Sequence, residues 1–438
     1  MRILHYFLGF HRQGGLNRYA ADLAVAQTAA NDEVFALYPG GSIIPRRCAV
    51  IKKRSIKNGV QCFELLAGAP VPLLEGIRDP EMILSQSHML STNAVHRFYN
   101  QVKPDVLHIH TWMGFPAELL PEWKSRGVKV VFSTHDYFGL CPKVNRLLEN
   151  GNVCPGATDE RCSCCNRNAP RKLYLVLRNV EFLIRLKKLL LPLIHIARRR
   201  AAVKSPEDMQ NITVKPYHRL LEYYTKLLTQ CDKIHFNSFI TEKVYHSILP
   251  TLSGKVIPIT HGNIADHREN HNAAGKILRF GFIGSAAPYK GLPLLMKVLD
   301  KLSHEGQKKW QLDIWGCEGT NQDNVCYHGL FQPAQEPEIL LQMDLLVFPS
   351  IWDETFGFVV EEALSCGVSV LCSDRAGAQI LVDPNWIFHG ANGLYQKLQQ
   401  ILRDPQVLRQ NHQEICKGKY FITMAEHVRT ISEFYSIG

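Results

Sequence analysis

The sequence predicts an α/β protein made of two doubly wound parallel-sheet domains. Three observations carry that prediction. Short apolar, β-branched runs alternate with helical patterns through the first half of the chain. The same alternation starts afresh in the second half. A polar stretch, Ile264–Lys276 with Asn272-Ala273-Ala274-Gly275, lies between them and has the composition of a linker. Strands separated by helices of this length form right-handed βαβ units and hence parallel sheets.

In the first half, Arg2–Tyr6 reads as a strand, followed by a glycine turn and a helix from about Leu16 to Ala29. Glu33–Tyr38, Val106–His110, Val128–Ser133, Lys233–Asn237 and Val256–Ile259 read as further strands. In the second half the strands are Leu278–Ile283, Gln311–Trp315, Asp344–Phe348 and Ser369–Cys372, with helices at about 291–304, 335–342, 358–366 and 394–403. A last helical pattern covers about Phe421–Tyr435. The expected domains are 1–268, 275–420 and a C-terminal helix, 421–438, packing back on the first domain.

The 438 residues suffice for two or three domains, and 46% hydrophobic with 21% charged residues is a globular composition. Such a chain buries a large core without disulfides. Met1-Arg2-Ile3-Leu4-His5-Tyr6 has too short an apolar run for a signal peptide. The best membrane candidate, Leu189–Ala197, is short and broken by Pro192 and His195. A cytoplasmic location is therefore expected, with the 13 cysteines as thiols.

The net charge of +10 is concentrated. Residues 171–204 hold ten basic side chains, from Arg171 and Lys172 to Arg200 and Lys204, against the single acid Glu181. A nucleic-acid binder shows a broad basic face, so no nucleic-acid partner is expected. Leu175, Phe182, Leu186, Leu189 and Leu193 fall near one helical face, and Arg171, Arg178, Arg185 and Lys188 on another. A basic amphipathic segment of this kind can dock on an anionic membrane surface. An ordinary domain helix with a core-facing stripe is the alternative.

The most informative stretch is Phe348-Pro349-Ser350-Ile351-Trp352-Asp353-Glu354-Thr355-Phe356-Gly357-Phe358-Val359-Val360-Glu361-Glu362-Ala363-Leu364-Ser365-Cys366-Gly367. A buried strand ends at Pro349-Ser350, Glu354 sits on the loop, and Glu362 lies eight residues on, inside a helix that opens near Gly357. Backbone N–H groups at Phe356, Gly357 and Phe358, together with the helix dipole, can hold a phosphate. Glu354 can accept from sugar hydroxyls, and Glu362 can reach a ribose diol. A capping glutamate followed by a solvated one is the plainer alternative.

This spacing resembles the E-x7-E signature of glycosyltransferase family four, also described as group 1 glycosyl transferases. The resemblance implies a GT-B fold, with two Rossmann-like domains facing a central cleft, a nucleotide-sugar donor and retention of anomeric configuration. It implies donor contacts at Glu354, Phe356, Gly357, Phe358 and Glu362. The loop Phe280-Gly281-Phe282-Ile283-Gly284-Ser285-Ala286-Ala287-Pro288-Tyr289-Lys290-Gly291 resembles the family's phosphate loop. There the family usually has an arginine after Gly284, which is Ser285 here, and keeps the lysine, Lys290. With Ser285 uncharged, leaving-group stabilisation falls to Lys290, to the helix at Gly357, or to another basic residue. No D-x-D pair occurs in the chain. Metal-free stabilisation of the diphosphate follows, and no metal or other cofactor is expected.

In the first half, Gly14-Gly15 resembles the family's glycine-rich loop, where the backbone approaches the donor. His110 reads as structural or cleft-lining. His135, in Thr134-His135-Asp136, matches the position that faces the reacting sugar, where it can bond a hydroxyl or take a proton. Cys141, Cys154, Cys162, Cys164 and Cys165 crowd one loop region without the spacing of two C-x-x-C pairs, and are expected to be structural rather than metal-binding.

These readings give catalytic candidates His135, Glu354 and Lys290. The donor-binding candidates are Gly14, Gly15, Gly284, Ser285, Lys290, Glu354, Phe356, Gly357, Phe358 and Glu362. The expected activity is transfer of a sugar from a UDP- or GDP-sugar to a saccharide or lipid-linked acceptor, in bacterial cell-surface polysaccharide synthesis. The alternatives are a nucleotide-sugar epimerase or hydrolase of the same fold, and a non-catalytic glycan-binding homologue.

Overall fold

A computed structural model describes residues 1–41, 48–85, 89–148, 150–177, 213–270 and 277–436. It divides into two compact units. The first comprises Met1–His235, Ile248–Lys255 and Glu433–Gly438, and the second Phe236–Ser247 and Val256–Ser432. The second unit thus takes in residues from 256 onward, ahead of the polar stretch at 264–276. The reason is local: His261 is tied to a helix of that unit, as shown below. Most of the basic segment, from Arg178 onward, and residues 271–276 of the expected linker lie outside the described residues.

The first unit holds a sheet of eight strands. They are β1 (Arg2–Tyr6), β2 (Glu33–Pro39), β3 (Val50–Lys57), β4 (Val60–Leu66), β5 (Val106–Ile109), β6 (Lys129–Ser133), β7 (Lys233–Phe236) and β8 (Gly254–Val256). Their order is β3-β4-β2-β1-β5-β6-β7-β8. Neighbours from β4 through β7 pair in parallel, and β3 pairs with β4 antiparallel. Sequence reasoning gave no strands at β3 and β4. The β3 residues Lys52, Lys53 and Arg54 are exposed, so this edge strand shows no apolar alternation. β1 is central because both of its neighbours shield it, and Ile3 and Leu4 are fully buried.

The second unit holds six strands: β9 (Leu278–Ile283), β10 (Trp310–Trp315), β11 (Val325–Gly329), β12 (Leu345–Phe348), β13 (Ser369–Ser373) and β14 (Ile387–Phe388). They run β11-β10-β9-β12-β13-β14, all paired in parallel. Helix Leu292–His304 buries Leu292, Leu295, Leu299 and Leu302, a three-four spacing that makes one apolar stripe. It packs on a core with Phe280, Leu312, Val347 and Leu371 from the sheet and Leu394, Leu398 and Ile401 from helix Gly390–Arg403. The chain order reverses between β9 and β12. Ligands of doubly wound sheets bind beyond the carboxyl ends of the strands at such a point.

Candidate functional site

In the second unit, the loop after β9 and the loop after β12 meet through a glycine. Gly291 has φ +84°, and a Cβ there would lie 1.7 Å from the Pro349 carbonyl oxygen. Only glycine fits, because both the left-handed backbone and the contact exclude a side chain. Beside this contact the Ile351 N–H donates to the Tyr289 carbonyl (3.0 Å). Lys290 is thereby held against the second loop, and its Nζ donates to Glu354 Oε2 at 2.5 Å. The Lys290 ammonium also stands 5.5 Å from the Trp352 ring centroid, a cation–π contact.

Glu354 is itself fixed through its backbone. Its N–H donates to Arg375 O (2.9 Å), and its carbonyl accepts from Gly377 N (2.9 Å). Gly377 is required at that crossing, since a Cβ would lie 2.1 Å from Thr355 O. Ser238 Oγ donates to the same Thr355 carbonyl (2.7 Å). Gly357, with φ +105°, caps helix Phe358–Ser365, and a Cβ there would meet the Phe348 ring at 2.8 Å. Arg375 pairs with Asp353 (2.7 Å), while its Nε is buried with no hydrogen-bond partner.

Glu362 joins a different arrangement. Its side chain is 8% exposed, and Oε1 lies 2.7 Å from His261 Nε2. The His261 ring sits edge-on to Phe358 at 5.1 Å, and Phe358 sits against Phe356 at 5.4 Å. One face of the helix therefore carries a buried acid held by a histidine. Gly284 donates its N–H to Trp315 O (2.9 Å), and Ser285 beside it is exposed.

In the first unit, Gly14 has φ +111° and forms the N-cap of helix Gly15–Ala29. His135 follows β6 and is 9% exposed. Behind it lies a chain of buried rings: His5 on β1, His108 on β5, and His110 after β5. The hydrogen-bond pattern fixes their tautomers. Gln27 Nε2 donates to Tyr435 Oη (3.4 Å), which turns Gln27 Oε1 toward His5 Nε2 (2.7 Å). His5 Nε2 must then carry hydrogen. Burial lowers the His5 pKa to about 4, against the opposing Gln27 bond, so the ring is neutral and its Nδ1 is bare. That atom accepts from His110 Nε2–H (3.0 Å). His110 is also neutral, pushed well down by burial first and then by His108, His5, His135 and His235. Its bare Nδ1 accepts from His135 Nε2–H (3.2 Å). A second branch runs from Tyr435 Oη to His108 Nδ1 (2.6 Å), His108 Nε2 to Ser133 Oγ (2.6 Å), and Ser133 Oγ to His235 Nδ1 (2.7 Å). His135 is thus held with hydrogen on Nε2. Next to it, burial raises the Asp136 carboxyl to about 7, against bonds from Phe138 N–H and the Thr111 hydroxyl.

Comparison with known proteins places these loops in a family. The glycosyl transferases group 1 model matches residues 263–415, and the glycosyltransferase family 4 model matches residues 13–151. The chain belongs to the family-four, group 1 glycosyltransferases. An O-antigen chain mannosyltransferase B from Escherichia coli is 29% identical over 126 residues. That alignment covers 26% of this chain and spans a third of the relative's length. Among solved structures, a sucrose-phosphate synthase from Thermosynechococcus elongatus is similar with a TM-score of 0.59 at 15% identity, covering 99% of this chain and 98% of that one. WaaG, a glycosyltransferase involved in lipopolysaccharide biosynthesis, aligns over 100% of both chains with a TM-score of 0.54 at 11% identity. HepE from Anabaena, solved with UDP and glucose, aligns over 100% of this chain and 99% of its own with a TM-score of 0.54 at 14% identity. The fold is GT-B.

Within this glycosyltransferase, sequence reasoning gave no role to His261, Trp352, Arg375 or Asp136. His261 had a usable signal, since it follows a predicted strand end exactly as His135 does. Arg375 had none. It pairs with Asp353 only because the loop after β13 folds across the loop after β12. No helix among the described residues is long and apolar enough to cross a membrane.

Proposed function

We propose that the protein is a retaining glycosyltransferase that takes a hexose from a nucleotide-sugar donor, without a metal on the diphosphate, and passes it to a saccharide or lipid-linked acceptor. The observation that carries this reading is the Lys290–Glu354 pair beside the N-terminus of helix Phe358–Ser365. A departing diphosphate needs fixed positive charge, and the Lys290 ammonium and the N–H groups at Phe356–Phe358 supply it without reorganisation. We assign the compensation for uncharged Ser285 to Arg375, whose backbone carbonyl accepts from Glu354 N–H and whose Nε is buried and unsatisfied. Glu354, released from Lys290 when phosphate takes its place, accepts from the donor sugar's hydroxyls. Glu362 and Gly284 complete the nucleotide side, and His135 with Gly14 and Gly15 serves the sugar and acceptor side.

The likeness to an O-antigen chain mannosyltransferase supports a role in bacterial cell-surface polysaccharide synthesis. A cytoplasmic enzyme docked on the inner membrane face through residues 171–204 fits that role. The test is a thermal-shift panel of UDP, GDP, ADP and their sugars on wild type, Lys290→Ala and Glu362→Ala. A ligand at a hundred times its Kd raises stability by about 2.7 kcal/mol. One base should stabilise wild type, with the shift reduced in both variants. No shift with any nucleotide would overturn the reading in favour of a non-catalytic homologue.

A further inference from the structure

Four cysteines between residues 141 and 165 line one cavity in the first unit. Cys141, Cys154, Cys162 and Cys165 surround a space of about 30 Å³. Cys162 and Cys165 are three residues apart on helix Asp159–Cys165, hence on one face. Cys154 ends a tight ribbon, its N–H donating to Arg146 O (2.7 Å) just beyond the Leu147–Val153 bridge. Cys141 opens the preceding turn and accepts from Val144 N–H (3.0 Å).

The loop between Cys141 and Cys154 is strained. Val144 has φ 72° and Arg146 φ 55°. A β-branched residue rarely adopts the left-handed region, and it persists there where surrounding structure over-determines it. All four cysteines are thiols. Lys143, Arg146 and Arg161 line the same cavity. Four thiolates around one divalent ion carry net negative charge, and these three side chains offset it.

We propose that Cys141, Cys154, Cys162 and Cys165 bind one zinc ion, which pins the strained loop to helix Asp159–Cys165. Four sulfur ligands with no open position make a structural, tetrahedral site. Among the described residues no three of these sulfurs lie within 4.8 Å of one another, so the site forms only when the side chains rotate about χ1 onto the ion. This revises the expectation that the cluster binds no metal, and it does not depend on the transfer reaction. Cys164 is outside the set because it does not line the cavity. Among the described residues, His5, His108 and His110 already have donor atoms within 4.8 Å of one another. Their ring nitrogens are committed to the hydrogen-bond chain above, so that trio is structural.

The test uses untagged full-length protein purified without chelator. Elemental analysis should find one zinc per chain. After stripping, titration with cobalt(II) should give thiolate-to-metal charge-transfer absorption and a tetrahedral ligand-field spectrum. Cys162→Ser and Cys165→Ser should weaken cobalt binding at least tenfold, and Cys164→Ser should leave it unchanged. Should the serine variants fail to fold, alkylation of wild type decides. The four thiols should be protected with zinc bound and reactive after chelation, with Cys164 modified equally in both. Absence of zinc with no cobalt band, iron in place of zinc, or equal loss in Cys164→Ser would each overturn the proposal.

Discussion

Gly291 shows how one atom can decide a site. Replacing it by alanine drives a Cβ to 1.7 Å from a backbone oxygen in a left-handed conformation. The loop must move, and Lys290 moves with it. Gly291→Ala should therefore lose about 1–3 kcal/mol of stability in urea titration and most nucleotide binding by thermal shift. Unchanged nucleotide binding would show that Lys290 is not placed by this contact. Asp136 makes a second prediction at this scale. Its folded pKa, about 7, lies above its unfolded value of 3.8. The native state then holds the extra proton between those values, and stability falls as pH rises through that window. The cost is complete above pH 7 and absent below pH 4. Asp136→Asn keeps an acceptor for Phe138 N–H but has no charge to bury. Its melting temperature relative to wild type should rise from pH 4 to pH 8, and a flat difference would refute the raised pKa.

At the scale of elements, strands β1, β5, β6 and β7 share an interior that is partly polar, and the histidine chain is its consequence. His5 and His110 are neutral in the fold, with folded pKa values below the unfolded one. Stability from these groups is present above pH 6.5 and is lost as pH falls toward 4. One such group contributes a slope of about 1.4 kcal/mol per pH unit. His5→Asn should lower the measured slope in that window by about one proton's worth. The chain ends at Tyr435, on helix Met424–Ser436, where the hydroxyl serves both Gln27 and His108. Tyr435→Phe leaves those partners buried and unsatisfied, at about 1–3 kcal/mol. It should also loosen the tautomer of His135, readable from 15N shifts of the ring as a mixture in place of one Nε2–H form.

At the scale of the whole molecule, each unit has its own sheet, and the two sheets carry different chemistry. On the proposed function, the Lys290 ammonium, Glu354, Glu362 and the terminus of helix Phe358–Ser365 in the second unit take the nucleotide diphosphate. Hydrogen exchange with the matching nucleotide should slow amides at 281–291 and 354–362. Protection confined elsewhere would displace the donor site from these loops. The first unit carries the histidine chain, which no linear motif marks, and the cysteine cavity, whose members already crowd one loop region in the sequence.

The sequence alone determined the two α/β units, the strands that are apolar on both faces, and the pairing of Glu354 with a helix carrying Glu362. Buried parallel strands leave continuous β-branched runs, and helix termini leave glycines, so these features are local and legible. Edge strands such as β3, with exposed Lys52 and Lys53, leave no such trace. The tertiary structure decided that Glu362 faces His261 while Glu354 faces Lys290. It brought Arg375 to Asp353, and gathered four cysteines about one cavity while leaving Cys164 out. Each of these depends on where two loops cross or which way a side chain turns. Those are non-local distances of a few ångströms, and residue spacing along the chain does not encode them.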